Sequence, residues 1–153
     1  MAKAENRRLV VGTDSSGRST IVRDDYDLAR TEPLTGYTLQ EIWFQESVPG
    51  RRDDAGLRVG EIDIEPPSDG ALVRILTIAP LESATEWVPN LHGDDDRHVL
   101  TLVSGTIDLI LEDGVTTMHT GDSVVMSGHV HDWRNTYGAP AVLVYTSFPL
   151  ARG

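Results

Sequence analysis

The chain is predicted to be all-β, an antiparallel sandwich or barrel. Short runs rich in β-branched and apolar residues recur along it, Gly and Asp turns separate them, and sustained 3.6-residue periodicity is missing. Its 153 residues have the length of one ordinary domain, and a chain of that size buries about 70% of its unfolded surface around one core. Residues 1–153 are therefore read as a single unit, with no repeat, low-complexity tract or linker inside it.

Leu9 to Val11 and Ser19 to Arg23 flank Asp14-Ser15-Ser16-Gly17, a turn composition, so the chain opens as a hairpin. Asp24 to Gly36 is polar and irregular, and Tyr37 to Phe44 reads as a strand. Val48 to Gly60 reads as a long loop, either solvated or a lid over a pocket. Glu61-Ile62-Asp63-Ile64-Glu65 alternates strictly, and Pro66-Pro67-Ser68-Asp69-Gly70 turns it toward Ala71 to Ile78, so these two segments are expected to pair. Arg74 interrupts that apolar run; it either reaches solvent at an edge or points into a cavity, where it could receive a substrate carboxylate. Pro80 to Asn90 is a connector in which Trp87 packs. Val99 to Val103, Thr106 to Leu111, Val115 to His119, Ser123 to Met126 and Ala141 to Phe148 complete the strands, with turns at Ser104-Gly105, Glu112-Asp113-Gly114 and Thr120-Gly121-Asp122.

Acidic residues number 24 against 13 Lys and Arg, for a formal charge of −11. A phosphate backbone and an anionic membrane surface would both repel such a chain. The absence of cysteine excludes disulfides and thiolate chemistry. With no secretory apolar segment after Arg7-Arg8 and no long apolar run elsewhere, a soluble, cytoplasmic protein is expected.

Four of the five histidines fall in two clusters, His92-Gly93-Asp94 with His98, and His129 with His131-Asp132-Trp133-Arg134-Asn135. Alternate residues of an extended strand share a face, so His92 goes with Asp94, and His131 with Trp133 and Asn135. If neighbouring strands bring the clusters together, His92, Asp94, His98 and His131 could surround one divalent metal. Asp94 could equally be part of a solvated acidic turn with Asp95 and Asp96, and His98 could be a buried, hydrogen-bonded histidine or a catalytic base. His119 is read as an exposed strand residue, and His129 as a rim residue that could touch substrate. Trp133 either packs in the barrel mouth or stacks on a substrate ring, Asn135 would pin a loop, and Tyr145 could face the cavity as a proton donor.

This spacing resembles the cupin superfamily of small β-barrels. Its first motif runs H-x-H, a short spacer, E and a closing G, and here His92, Asp94, His98 and Gly105 occupy those places. In the second motif Gly121 matches the opening glycine, and His131 and Asn135 match the H and N. The similarity spans roughly residues 71 to 148, and Gly121-Asp122-Ser123-Val124-Val125 with Gly128, His131 and Trp133 is its most recognisable part. Asp94 stands where the family has a second histidine, His98 replaces its glutamate, and Ser127 its proline. The resemblance implies a double-stranded β-helix or jelly-roll barrel over 71–148, with residues 7–70 packing on it or extending it, and a homodimer joined through N-terminal strands within residues 7 to 25. The donor set suits Fe, Mn, Ni, Co or Zn as a single divalent ion. The functional expectation is a metal-dependent enzyme acting on a carbonyl or carboxylate compound by isomerisation, dehydration or decarboxylation, with His98, Tyr145 and Arg74 as catalytic residues and Trp133, Arg74 and His129 as substrate contacts. The alternatives are an Fe(II)-dependent dioxygenase and a metal-free small-molecule binding module.

Overall fold

The structure is a computed structural model that describes residues 6–54, 58 and 60–151. The extreme N-terminus and the middle of the loop expected between Val48 and Gly60, at residues 55–57 and 59, lie outside the described residues. The strands are β1 (Arg8–Thr13), β2 (Ser19–Asp25), β3 (Ala29–Thr31), β4 (Tyr37–Gln45), β5 (Ala71–Ile78), β6 (Asp96–Ser104), β7 (Thr106–Leu111), β8 (Gly114–His119), β9 (Ser123–Ser127), β10 (His131–Arg134) and β11 (Ala141–Pro149), with a 3₁₀ turn at Ala84–Glu86. All ladders between these strands are antiparallel. A six-stranded sheet has the order β3-β4-β5-β11-β6-β9, a three-stranded sheet the order β10-β7-β8, and β1 and β2 form a separate hairpin. No helix is long and apolar enough to cross a membrane among the described residues.

Period-two alternation decides which side chains meet inside. On β5, Leu72, Arg74, Leu76 and Ile78 are buried while the residues between them are half-buried. Leu39, Leu76, Leu100, Leu102, Met126 and Leu143 from the large sheet meet Ile107, Leu109, Met118 and Trp133 from the small one in a shared core. Each fully buried Leu or Ile contributes about 1.5–3 kcal/mol. The result is the jelly-roll barrel expected from the sequence.

The expected pairing of residues 61–65 with β5 does not occur. β5 lies between β4 and β11, with both edges taken, so no ladder position is free for another strand. Residues 61–65 instead join no ladder and meet the sheet's backbone through a parallel bridge between Arg30 and Glu61. Ile62 is buried and Ile64 is exposed, so the alternation there does not mark a strand with one buried face.

Arg74 does not reach solvent and does not line the cavity. It is completely buried; Nη1 donates to the Ile64 carbonyl at 2.8 Å, Nη2 to the Asp63 carbonyl at 2.7 Å, and Nε and Nη2 to Glu41 Oε1 at 3.4 and 3.2 Å. With its donors turned to these acceptors, the proposed roles of Arg74 in catalysis and substrate binding lose their geometric basis. It ties the segment after Gly60 to the barrel wall.

Candidate functional site

A cavity of about 370 Å³ opens between the sheets. Its wall brings together His92, Asp94, His98, His131, Trp133 and Tyr145, all anticipated from the sequence. His98 and Tyr145 come from β6 and β11, which are paired, and His131 and Trp133 from β10 of the facing sheet.

The two histidine clusters are joined backbone to backbone. His92 N–H donates to the His131 carbonyl at 3.0 Å, and His131 N–H to the His92 carbonyl at 2.9 Å. Two glycines allow this approach: a Cβ on Gly93 would lie 2.5 Å from the Gly128 oxygen, and one on Gly128 would lie 2.1 Å from the Asp94 oxygen. Gly128 also has φ +75, the left-handed region. Gly128→Ala is therefore expected to cost the strain of that backbone, about 1–3 kcal/mol, together with a clash that separates the two clusters. Gly138→Ala is the matched control, with φ +77 and nothing within 4 Å of its added Cβ. Urea midpoints should fall further for Gly128→Ala than for Gly138→Ala; equal midpoints would remove the close approach from the account of the site.

The imidazoles of His92 and His131 are oriented alike. Nδ1 of His92 donates to the Asn90 carbonyl at 2.7 Å, and Nδ1 of His131 to the His129 carbonyl at 2.9 Å, so in its neutral form each ring carries its proton on Nδ1 and offers the lone pair of Nε2. Among the described residues neither Nε2 has a hydrogen-bond partner, and the ring centroids are 4.6 Å apart. Burial holds the His131 pKa below its ordinary value, with the hydrogen bond to the His129 carbonyl opposing that pull.

Asp94 and His98 face each other. Asp94 Oδ2 is hydrogen-bonded to His98 Nε2, and Asp94 Oδ1 accepts the Asp96 N–H at 3.0 Å. Nδ1 of His98 is buried without a hydrogen-bond partner, the one such side-chain atom among the described residues. Because an orphaned N–H is costlier than an orphaned lone pair, the proton belongs on Nε2, toward Asp94. The His98 ring packs 5.0 Å from the Tyr145 ring. Burial raises the Tyr145 pKa, so its hydroxyl remains a proton donor throughout the physiological range.

These donors are of the right chemistry for a divalent metal, with imidazole nitrogens and a carboxylate on one wall. His92 and His131 fit, each having its remaining nitrogen free and its tautomer set by a backbone carbonyl. Asp94 and His98 are turned to each other, and among the described residues no group of three or more His, Cys, Asp or Glu stands ready to hold a metal ion.

His129 lies outside the cavity wall. Its side chain is exposed and its Nδ1 accepts the Ser127 N–H at 3.0 Å, so its contribution to the site is the carbonyl that orients His131. His119 is exposed on β8. Asn135 pins the loop after β10, its amide donating to the carbonyls of Ile78 and Ala139. Asp132 was not anticipated: buried, it accepts Asn90 N–H at 2.8 Å and Trp133 N–H at 2.7 Å, holding the segment that presents His92. Tyr37 was also missed; its hydroxyl donates to the Trp133 carbonyl at 3.3 Å, and burial together with the charge of Asp132 pushes its pKa up to about 12.

A family model described as a cupin domain matches residues 74–147. Among solved structures, the chain is similar to an RmlC-like cupin from Shewanella frigidimarina, at 13% identity and TM-score 0.54 over 82% of this chain and 86% of that one. It is similar to KdgF from Halomonas sp., at 12% identity and TM-score 0.53 over 83% and 91%. It is also similar to a sugar phosphate isomerase from Silicibacter pomeroyi, at 14% identity and TM-score 0.51 over 80% and 70%. None of the curated proteins compared matches it.

Proposed function

We propose, from the match of a cupin-domain model to residues 74–147 and the fold shared with an RmlC-like cupin, that the chain is a small-molecule enzyme of the cupin superfamily moving a proton on a carbonyl or carboxylate compound, in an isomerase or lyase reaction. One observation carries this reading: the buried Nδ1 of His98 has no partner in the protein, and its ring lines a cavity that also holds Tyr145, His92 and His131. A base needs a free lone pair, and Nδ1 of His98 has one. Asp94 holds the opposite nitrogen and with it the tautomer. Tyr145, kept protonated by burial, supplies a proton to a developing oxyanion.

His92 and His131 are the residues that would hold a divalent metal, with Asp94 and His98 completing the set only if their mutual hydrogen bond gives way. Such an ion would supply Lewis acidity toward the substrate oxygen. The pairing of Asp94 with His98 favours a second reading, in which the two free Nε2 atoms receive a hydroxyl or carboxyl proton of the ligand directly and no metal takes part. Elemental analysis of tag-free protein, repeated on His92→Ala and His131→Ala, separates these readings. Metal near one equivalent in the parent and lost in both variants is the expected result. Equal content in all three would remove the ligand assignment and leave the metal-free reading.

A further inference from the structure

The charge pattern of the cavity deepens this reading by naming the class of substrate, and it rests on the cavity being the reaction site. No Lys or Arg lines the cavity among the described residues. Its charged groups are acids, Glu65, Asp94 and Asp132, and the rest of the wall is largely apolar, with Leu39, Leu76, Leu100, Met126 and Trp133 prominent.

Arg74 neighbours the cavity wall in the sheet, two residues from Leu76 on β5 and paired across the sheet with Tyr145. It is turned away, bonded to Glu41 and to the carbonyls of Asp63 and Ile64. Arg58 is paired with Glu41, and Arg134 with Asp108. A phosphate or second carboxylate entering this cavity would lose its water, meet three acids and find no guanidinium or ammonium in return. An apolar body loses nothing comparable.

We propose that the site takes a compound with one small oxygen-bearing head, placed at the histidines, and an uncharged, apolar body lying against the leucines and Trp133, and that it rejects phosphorylated and dianionic compounds. Whatever occupies the histidine end, a metal included, reaches only the head, so discrimination against a charge at the far end is a property of the wall. The fold shared with a sugar phosphate isomerase does not bring a phosphate pocket with it.

Two hydroxyketones test this: 2-hydroxyacetophenone, and dihydroxyacetone phosphate, which carries the same head with a phosphate arm in place of the phenyl ring. Dissociation constants from ligand-detected NMR titration should favour the phenyl compound by at least tenfold. Leu34→Arg, at an exposed position on the cavity wall, should reduce that ratio by supplying the missing cation. Equal or tighter binding of the phosphate, binding of neither compound, or a ratio indifferent to Leu34→Arg would overturn the proposal. Deuterium exchange at the α-carbon of 2-hydroxyacetophenone, followed in the same samples, reports on proton transfer separately. Preference without exchange would leave this inference standing and sink the catalytic one; exchange without preference would do the reverse.

Discussion

Glu41→Ala unfolds at a much lower urea concentration than the parent protein, with a loss of about 3–5 kcal/mol, the range for removing one partner of a buried ion pair. Glu41 is 1% exposed and Arg74 0%. The carboxylate of Glu41 accepts from Arg58 at 2.6 and 2.8 Å as well as from Arg74, and the Arg58 guanidinium lies 3.8 Å from the Phe44 ring centre. Burial already pulls the Arg74 pKa down, with the charge of Glu41 opposing that pull and Arg58 adding to it. Without Glu41, Arg74 becomes a buried cation next to a second cation. The double variant Glu41→Leu with Arg74→Met is expected to recover most of the loss, because two apolar side chains replace a desolvated pair. A double-mutant cycle measures the coupling, and a Glu41→Ala midpoint within error of the parent would show that Arg74 finds another partner.

The same network explains why strand reading succeeded for most of the barrel and failed around residue 61. Alternation reports which face a residue occupies, and on β5 it places Arg74 inward with Leu72 and Leu76. It carries no information about partners, and Glu41 lies 33 residues earlier in the chain. Alternation alone therefore leaves Arg74 undecided between edge and cavity, and its acceptors decide against both. Glu61 to Glu65 alternates as well as any strand, yet pairing needs a free edge, and whether β5 has one is a property of the whole sheet.

The site divides in a similar way. His92 and His131 were readable because a motif spacing and a pair of short extended segments put them on one face, and Gly93 and Gly128 mark the point where the backbones touch. Tyr37 and Asp132 carried no comparable signal. Tyr37 looks like any strand aromatic, and Asp132 reads as one more polar residue between His131 and Trp133; its role is to hold the backbone of Asn90. His129 and His131 are two residues apart, but His129 lies between the turn at Gly128 and the start of β10 at His131, and its side chain is in solvent. One expectation for Asp94 and His98 was that both turn to a shared ion. Their bond to each other follows from a loop entering β6 at Asp96, where Asp94 also accepts the Asp96 N–H.

His98→Leu is the variant in which stability and function should part. The orphaned Nδ1 costs the folded protein about 1–3 kcal/mol, a cost that disappears with the imidazole, while leucine still fills a site that is 5% exposed. Loss of the Asp94 contact works against that gain, but the Asp94 side chain is 32% exposed and water can take the place of Nε2. The urea midpoint is therefore expected at or near that of the parent. Exchange of the α-protons of 2-hydroxyacetophenone, in contrast, should slow by about 10²–10⁴-fold, the usual contribution of a positioned general base. His119→Ala, altering an exposed histidine on β8, should leave both quantities unchanged and so excludes a generic effect of losing an imidazole. Asp94→Asn tests the positioning of the ring: an amide nitrogen facing Nε2 would invert the tautomer, move the proton to Nδ1 and take away the lone pair, so exchange should fall even though His98 is still present. Exchange at the parental rate in His98→Leu would dismiss Nδ1 as the base. A fall in His98→Leu that Asp94→Asn does not share would keep the base and discard its tautomer control.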